Sequence, residues 1–388
     1  MKNYLTGFLF FLLFISQNGY PVEEFNAGLI RGLWIVRHDI TTKSKIDSLL
    51  DLSRKCNITD LFIQIRGRGD AFYNSRYEAK SELLIDANFD PLGYILTHTQ
   101  NDSFRIHGWL NVFYVWSKDT LPKDENHIVN KKKHWLAQPN SRSRWLSNYP
   151  YFVQKSNVEG LYVSPLHPEV QQHFLDIIDD ILNNYNLHGI HLDYIRYPDQ
   201  SYDFNPDIVK GFQNRYILNP KQFTNNPEVF AQKFSIPGYE IFYHYWRKYL
   251  MDGLSDFVKK ISVQIDLNHP GILLSAAVKP DLIAAHWQYY QDWDRWLRED
   301  WLDFAIPMNY AEEPILFRER INQYIDKLPH LKYAIGISLY NQSVEEALRR
   351  IEIVQTLSDV GFVLFSYRQL KYQFLIQQFL KNYKAIKD

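Results

Sequence analysis

The feature that most limits what this chain can become is a repeated alternation running from about residue 31 to the end. Eight short, β-rich apolar runs occur: Leu33–Val36, Leu61–Ile65, Ile106–Phe113, Gly189–Asp193, Ile272–Val278, Leu302–Met308, Tyr333–Leu339 and Phe362–Phe365. Each is followed by a stretch with helical spacing, at 42–56, 91–101, 168–186, 239–266, 289–299, 315–327, 343–357 and 369–384. Strands that alternate with helices predict parallel pairing, because a parallel connection needs a crossover long enough to hold a helix. Eight such units predict an α/β fold of the (β/α)8 TIM-barrel type. A doubly wound sheet would need a reversal of strand order that the pattern does not show.

Two connections exceed the usual few residues of a βα loop. One runs from Tyr114 to His167, after the third strand; the other runs from Tyr194 to Gly238, after the fourth. Both leave the C-terminal ends of strands, the face on which TIM-barrel active sites are built. The expected architecture is therefore one barrel domain over residues 30–388 with long insertions after its third and fourth strands. Ahead of it, Met1–Tyr4 carries one positive charge, and Leu5 to Ile15 is an unbroken apolar run. That run is too short to span a bilayer but suits the core of a signal peptide over 1–20, so a periplasmic or secreted protein without stable membrane insertion is expected. The single cysteine, Cys56, lies in an apolar-periodic stretch and reads as a buried, inert thiol; it permits neither an intramolecular disulfide nor a cysteine-based metal site.

Period-two alternation sorts each strand into a helix-facing and a lumen-facing set. In the fourth strand Ile190 and Leu192 face the helices, so Gly189, His191 and Asp193 face the lumen. In the second, Leu61, Ile63 and Ile65 face outward, leaving Gln64 and Arg66 inside; in the seventh, Ala334, Gly336, Ser338 and Tyr340 are inside. Polar groups then converge at one rim. They are Arg37-His38-Asp39, Arg66 to Asp70, Asn111, Asp193 to Tyr197, Lys279 to Asp281, Asn309-Tyr310 and Ser366-Tyr367-Arg368. Buried polar groups need partners, so a rim this polar is either a salt-bridged plug or a site.

Several chemistries are disfavoured. Lys+Arg 43 against Asp+Glu 44 leaves a net charge of −1, without the basic excess that a broad grip on nucleic acid requires. No HExxH helix or HxH pair marks a catalytic metal, no G-x-S-x-G elbow marks a serine nucleophile, and Gly67-Arg68-Gly69 is too short for a dinucleotide or phosphate loop. No cofactor or metal is expected. What remains is carboxylate chemistry supported by guanidinium and aromatic groups, and aromatics make up 16 % of the chain.

Five segments in chain order carry a family resemblance: Arg31–Trp34, Phe62–Ala71, His107–Asn111, Ser164–Val170 and Gly189–Pro198 (GIHLDYIRYP). Together they resemble the bacterial glycosyl hydrolase-like family 10 group, which is distinct from the xylanase family sharing its number. The resemblance implies a (β/α)8 barrel, export, and action on a polysaccharide; one branch cuts peptidoglycan strands stripped of peptide. It places the strand-four carboxylate on Asp193 and the strand-two motif on Arg66 to Asp70. After the fifth strand Ser275 to Asp281 departs from the Gly/Ser/Pro/Phe-type motif of many members.

Glycoside hydrolysis needs two carboxyl groups flanking the scissile bond. Asp193 is expected as nucleophile or base, kept ionised by Arg196 or Arg66. Glu312, next to Glu313 after the sixth strand, is expected as the acid, with Asp70 and Asp281 as rivals. Arg37, Arg66, Arg68, Asn111, His191 and Arg196 are expected to contact substrate, together with Tyr194, Asn309, Tyr310 and Tyr367. Trp116, Trp135, Trp145 and Tyr197 are candidate sugar platforms. Two alternatives stand beside a glycosidase: a non-catalytic glycan-binding barrel, and an envelope amidase or esterase on the same fold.

Overall fold

The structure, a computed structural model, describes residues 25–140 and 158–382. The run over 1–20 and Trp145 lie outside the described residues. Eight parallel strands form the barrel: β1 (Arg31–Ile35), β2 (Asp60–Arg66), β3 (Arg105–Asn111), β6 (Gly189–Asp193), β7 (Leu273–Val278), β8 (Phe304–Pro307), β9 (Ala334–Ser338) and β10 (Gly361–Phe365). The other two strands, β4 (Tyr114–Trp116) and β5 (Leu161–Tyr162), pair antiparallel above the barrel. The sheet order β8-β7-β6-β3-β2-β1-β10-β9 brings β8 back to β9, where bridges Ala305–Tyr333 and Met308–Gly336 close the ring. This is the expected (β/α)8 barrel.

Local chemistry accounts for the helices. Thr42 caps Lys43–Lys55 by accepting from the Lys45 amide, Ser343 caps Val344–Gln355, and proline opens Pro168–Asn184 and Pro314–Lys327, where its missing N–H costs nothing. The expected helix at 289–299 is shortened to Trp293–Arg298 and preceded by a further short helix, Leu282–Gln288, and the last is split into Tyr367–Leu370 and Phe374–Lys381. The third strand stops at Asn111, not Phe113, because the chain turns there into the β4–β5 hairpin. In the second insertion, Pro206–Tyr216 and Pro227–Phe234 precede Ile236–Asn268, which buries Trp246, Leu250, Leu254, Phe257 and Ile261.

The lumen is filled in layers, as barrel strands require. At the bottom Asp60 accepts from Arg105 and His107, which hold its carboxyl down at about 2. An aromatic layer of Trp34, Phe62 and Phe304 follows, with Phe62 stacked on His107 at 4.5 Å between centroids. Above it, the Trp34 indole donates to His191 Nε2 (3.1 Å), so the other nitrogen, 2.9 Å from Ser275 Oγ, carries the proton. Gln64 then bridges Arg37 (2.8 Å) and Asn111 (3.2 Å) beneath the rim. Leu61, Ile63, Ile65, Ile190, Leu192, Ile335, Ile337 and Leu339 all face the helices, as their alternation demands.

Candidate active site

Asp193 ends β6 at the C-terminal face and is 8 % exposed. The next residue, Tyr194, has φ +52°, a left-handed conformation that a tyrosine adopts only under constraint from its surroundings. That turn aims the Tyr194 amide back at Asp193 Oδ1 (2.7 Å) and lays the Tyr194 ring on Tyr114 of the hairpin, 4.7 Å between centroids. Burial pushes the Asp193 carboxyl up to about 6; the Tyr194 amide, the Arg196 charge, the Trp109 indole and Lys279 oppose the rise without cancelling it. Tyr310, stacked on Phe365, lies close enough to Asp193 for the two ionisations to disfavour each other.

Arg196 is not the direct partner of Asp193. Its guanidinium is sandwiched near the rings of Tyr194 (4.9 Å) and Tyr289 (5.0 Å) and donates to Glu159 Oε1 (2.8 Å). Glu159 also accepts from the Tyr162 hydroxyl (2.9 Å), and Arg196 leads the influences that hold its carboxyl below the ordinary range against the cost of burial. Lys279, 4.3 Å over Tyr289, is brought down to about 8 by burial and by Arg196, and it feels both Glu159 and Asp193. The site thus holds two carboxyls with opposite tendencies: Asp193 resists ionisation and Glu159 favours it. Pairs pushed apart in this way are the usual foundation of an acid and a base working together.

Glu159 had no signal in the sequence. It sits in an irregular insertion, without periodicity or motif, and only the pairing of β4 with β5 brings it to Arg196. Gly160 permits that pairing, since a Cβ there would collide with the Trp116 carbonyl.

Beside this group, a cavity of about 140 Å³ is lined by Arg37, His38, Arg68, Asp70, Trp116 and His127 among others. Arg37 is buried and tied to Gln64, and His38 is driven down to about 4 by burial and the charges of Arg37, Arg368 and Arg68. Asp70 Oδ1 accepts from the Arg68 amide (2.6 Å), which shapes the turn after β2. Trp116 lines the cavity edge with its indole donating to Thr120. A larger hollow of 790 Å³ opens at the opposite end, around Leu328–Tyr333 and Thr356–Val360, away from Asp193.

Several expected site residues are placed elsewhere. Arg66 does not face the lumen: a register shift between Gln64 and Arg66 turns it outward, where it is 1 % exposed, pairs with Glu78 (2.6 Å) and lies over Phe174. His191 is sealed mid-barrel with both ring nitrogens occupied. Tyr197 is fully buried and donates to the Leu250 carbonyl; Trp135 packs on His173 with its indole on Glu169. Asn309 links the Phe317 carbonyl to Arg320, and Asn111 holds the Gly67 carbonyl. Tyr367 is buried on the β1 side, where Asp39 raises its hydroxyl further. Asp281 is an N-cap, accepting from Ala284. Glu312 is exposed beside Tyr340, while the charges that bear most on Asp193 are Arg196 and Lys279. The structure brings together Asp193, Tyr194, Arg196 and Tyr310, with Arg37, Arg68, Asp70 and Trp116 in the adjoining cavity.

The fold and rim can be set against known proteins. A glycoside hydrolase domain of PgaB (BpsB) from Bordetella bronchiseptica superposes with a TM-score of 0.69 at 12 % identity, covering 92 % of this chain and 99 % of that one. A β-galactosidase from Bacillus circulans gives 0.59 at 11 %, over 88 % and 50 %. In sequence, the glycosyl hydrolase YngK of Bacillus subtilis is 23 % identical over 292 residues, 69 % of this chain and 49 % of that protein. The glycosyl hydrolase DigH of Escherichia coli is 22 % identical over 289 residues, 71 % and 59 %. The chain therefore spans only half to three-fifths of these relatives' lengths. The model of the glycosyl hydrolase-like 10 family matches residues 29–341, and the chain belongs to that family.

Proposed function

We propose that the protein is a glycoside hydrolase in which Asp193 is the general acid and Glu159 the ionised carboxylate opposite it. One observation carries this: a carboxyl at the C-terminal end of the fourth barrel strand, lifted to about 6 by burial, shares a polar rim with a carboxylate held ionised by Arg196. An acid must still hold its proton near working pH, and a base or nucleophile must have lost its own. Asp193 thus takes the proton-donating role, in place of the nucleophile or base expected from sequence. Tyr194, Tyr114 and Tyr289 pack with Arg196 and Lys279 into an aromatic wall of the same rim.

The substrate is proposed to be an envelope or extracellular polysaccharide, with stripped peptidoglycan strands as the first to test. The family membership supports this, and the apolar run Leu5 to Ile15 supports export. Among the described residues no helix is long and apolar enough to cross a membrane. The test is digestion of stripped peptidoglycan and a polysaccharide panel by wild type, Asp193→Asn and Glu159→Gln, scoring new reducing ends. Wild type should release them and both variants should lose at least a hundredfold in rate. Undiminished release by either variant removes that residue from the chemistry; no release by wild type favours a glycan-binding barrel. Fractionation of cells expressing the full chain tests export.

A further inference from the structure

A second cluster of ligand-type side chains stands apart from the Asp193 group, on the two insertions. His134 belongs to a single helical turn (Lys133–Trp135), His167 and Glu169 to the start of helix Pro168–Asn184, and Asp207 to the first turn of helix Pro206–Tyr216. One ligand atom each from His134, His167 and Glu169 lie within 4.8 Å of one another. His134 Nε2 is 3.7 Å from Glu169 Oε2, and His167 Nε2 is 3.3 Å from Asp207 Oδ2. Ligand atoms about 2.0–2.2 Å from a tetrahedral ion stand roughly 3.3–3.6 Å apart; the His134–Glu169 separation is close to that, while Asp207 lies outside the group of three and reaches it by swinging in from its ion pair with His167.

Three observations separate the cluster from an ordinary surface ion pair. His167 is 4 % exposed and its Nδ1 has no hydrogen-bond partner, so a buried imidazole is left half satisfied. Glu169 is oriented by the Trp135 indole N–H, which donates to Oε2 (3.1 Å), and the His134 backbone carbonyl is held by Asn205 (2.8 Å), the cap of the helix that carries Asp207. Such outer partners fix ligand direction in metal sites. The other His/carboxylate cluster, His286 with Asp292 and Asp294, has its charge met by Arg295 and Arg298 and lacks this arrangement.

We propose that His134, His167, Glu169 and Asp207 bind one divalent transition-metal ion of the Zn2+ class, which pins the two insertions to each other. The site is structural: it staples the walls of the cleft and touches no group of the Asp193 pair. Lys132, 3.5 Å from Glu169 Oε2, is the cation that competes for the same carboxylate. Removing Lys132 should therefore strengthen metal binding, which an ion-pair role for Glu169 would not produce.

The test is titration of the metal-stripped full chain with Co2+ alone, read by visible d–d absorption, and with Zn2+ alone, read by thermal melting. Wild type should take up one equivalent with four-coordinate Co2+ bands, and Zn2+ should raise the melting temperature. His134→Ala and Glu169→Gln, both at exposed positions, should each weaken binding at least tenfold; Lys132→Ala should tighten it severalfold; His286→Ala should change nothing. Absence of stoichiometric uptake by wild type overturns the proposal. So does uptake that survives combined His134→Ala and Glu169→Gln, or Lys132→Ala weakening it.

Discussion

Replacing Asp193 by Asn should stabilise the protein, and by an amount that depends on pH in a prescribed way. The folded-state carboxyl titrates at about 6 against an ordinary 3.8. The folded form therefore binds the proton more tightly than the unfolded chain. Its favourable contribution is complete below pH 3.8 and is lost as pH climbs through 6. Two pH units at 1.36 kcal/mol each amount to about 3 kcal/mol lost by wild type between pH 4 and pH 6.5. Asn cannot ionise, so the variant escapes that loss. Asp203, also raised to about 6 by burial, is common to both proteins and cancels in the difference. Urea unfolding of both proteins from pH 4 to pH 8 measures the effect. The variant-minus-wild-type stability should rise by 2–3 kcal/mol across pH 4–6.5 and then level off. Parallel curves, or a gap that narrows with pH, would refute the burial-driven shift and with it the assignment of Asp193 as acid. Activity should follow the same group, falling above about pH 6 as the acid form is depleted.

Glu78→Ala should cost about 3–5 kcal/mol in urea unfolding, because it strands the buried Arg66 guanidinium. Glu312→Gln should leave the rate within about twofold of wild type where Glu159→Gln lowers it at least a hundredfold, since Arg196 and Lys279, the cations that act on Asp193, act on Glu159 and not on Glu312; matching losses would return the second carboxyl to Glu312. Gly189→Ala should lower stability by about 2 kcal/mol or more, as its Cβ would meet the His107 ring and lie 2.7 Å from the Leu273 carbonyl. A melting temperature equal to wild type would show that β6 has room to move.

The barrel was legible because its determinants are local. Alternation places Ile190 and Leu192 against the helices and Asp193 in the lumen wherever the neighbouring strands stand, and Asp193 reached the rim as expected. Arg66 broke the same rule one strand away. A shifted register between Gln64 and Arg66 reverses the face of everything after it, and no residue type announces such a shift. Height along the barrel axis was equally hidden. His191 and Asp193 share a face, yet two residues of rise separate a sealed hydrogen-bonded ring from a group at the cleft.

Glu159 and Arg196 show the other limit. They are 37 positions apart on different insertions, and their contact depends on a two-residue strand pairing that carries no periodic signal. Period and residue type by themselves determined the parallel barrel, its helix-facing core and the carboxylate at the end of its fourth strand. Those follow from which side chains must leave water within a few residues of one another. The partner of that carboxylate, the orientation of Arg66 and the raised acidity threshold of Asp193 were decided only by the tertiary structure. Burial and long-range charge are properties of what surrounds a residue, and in this chain the surroundings come from loops far away in sequence.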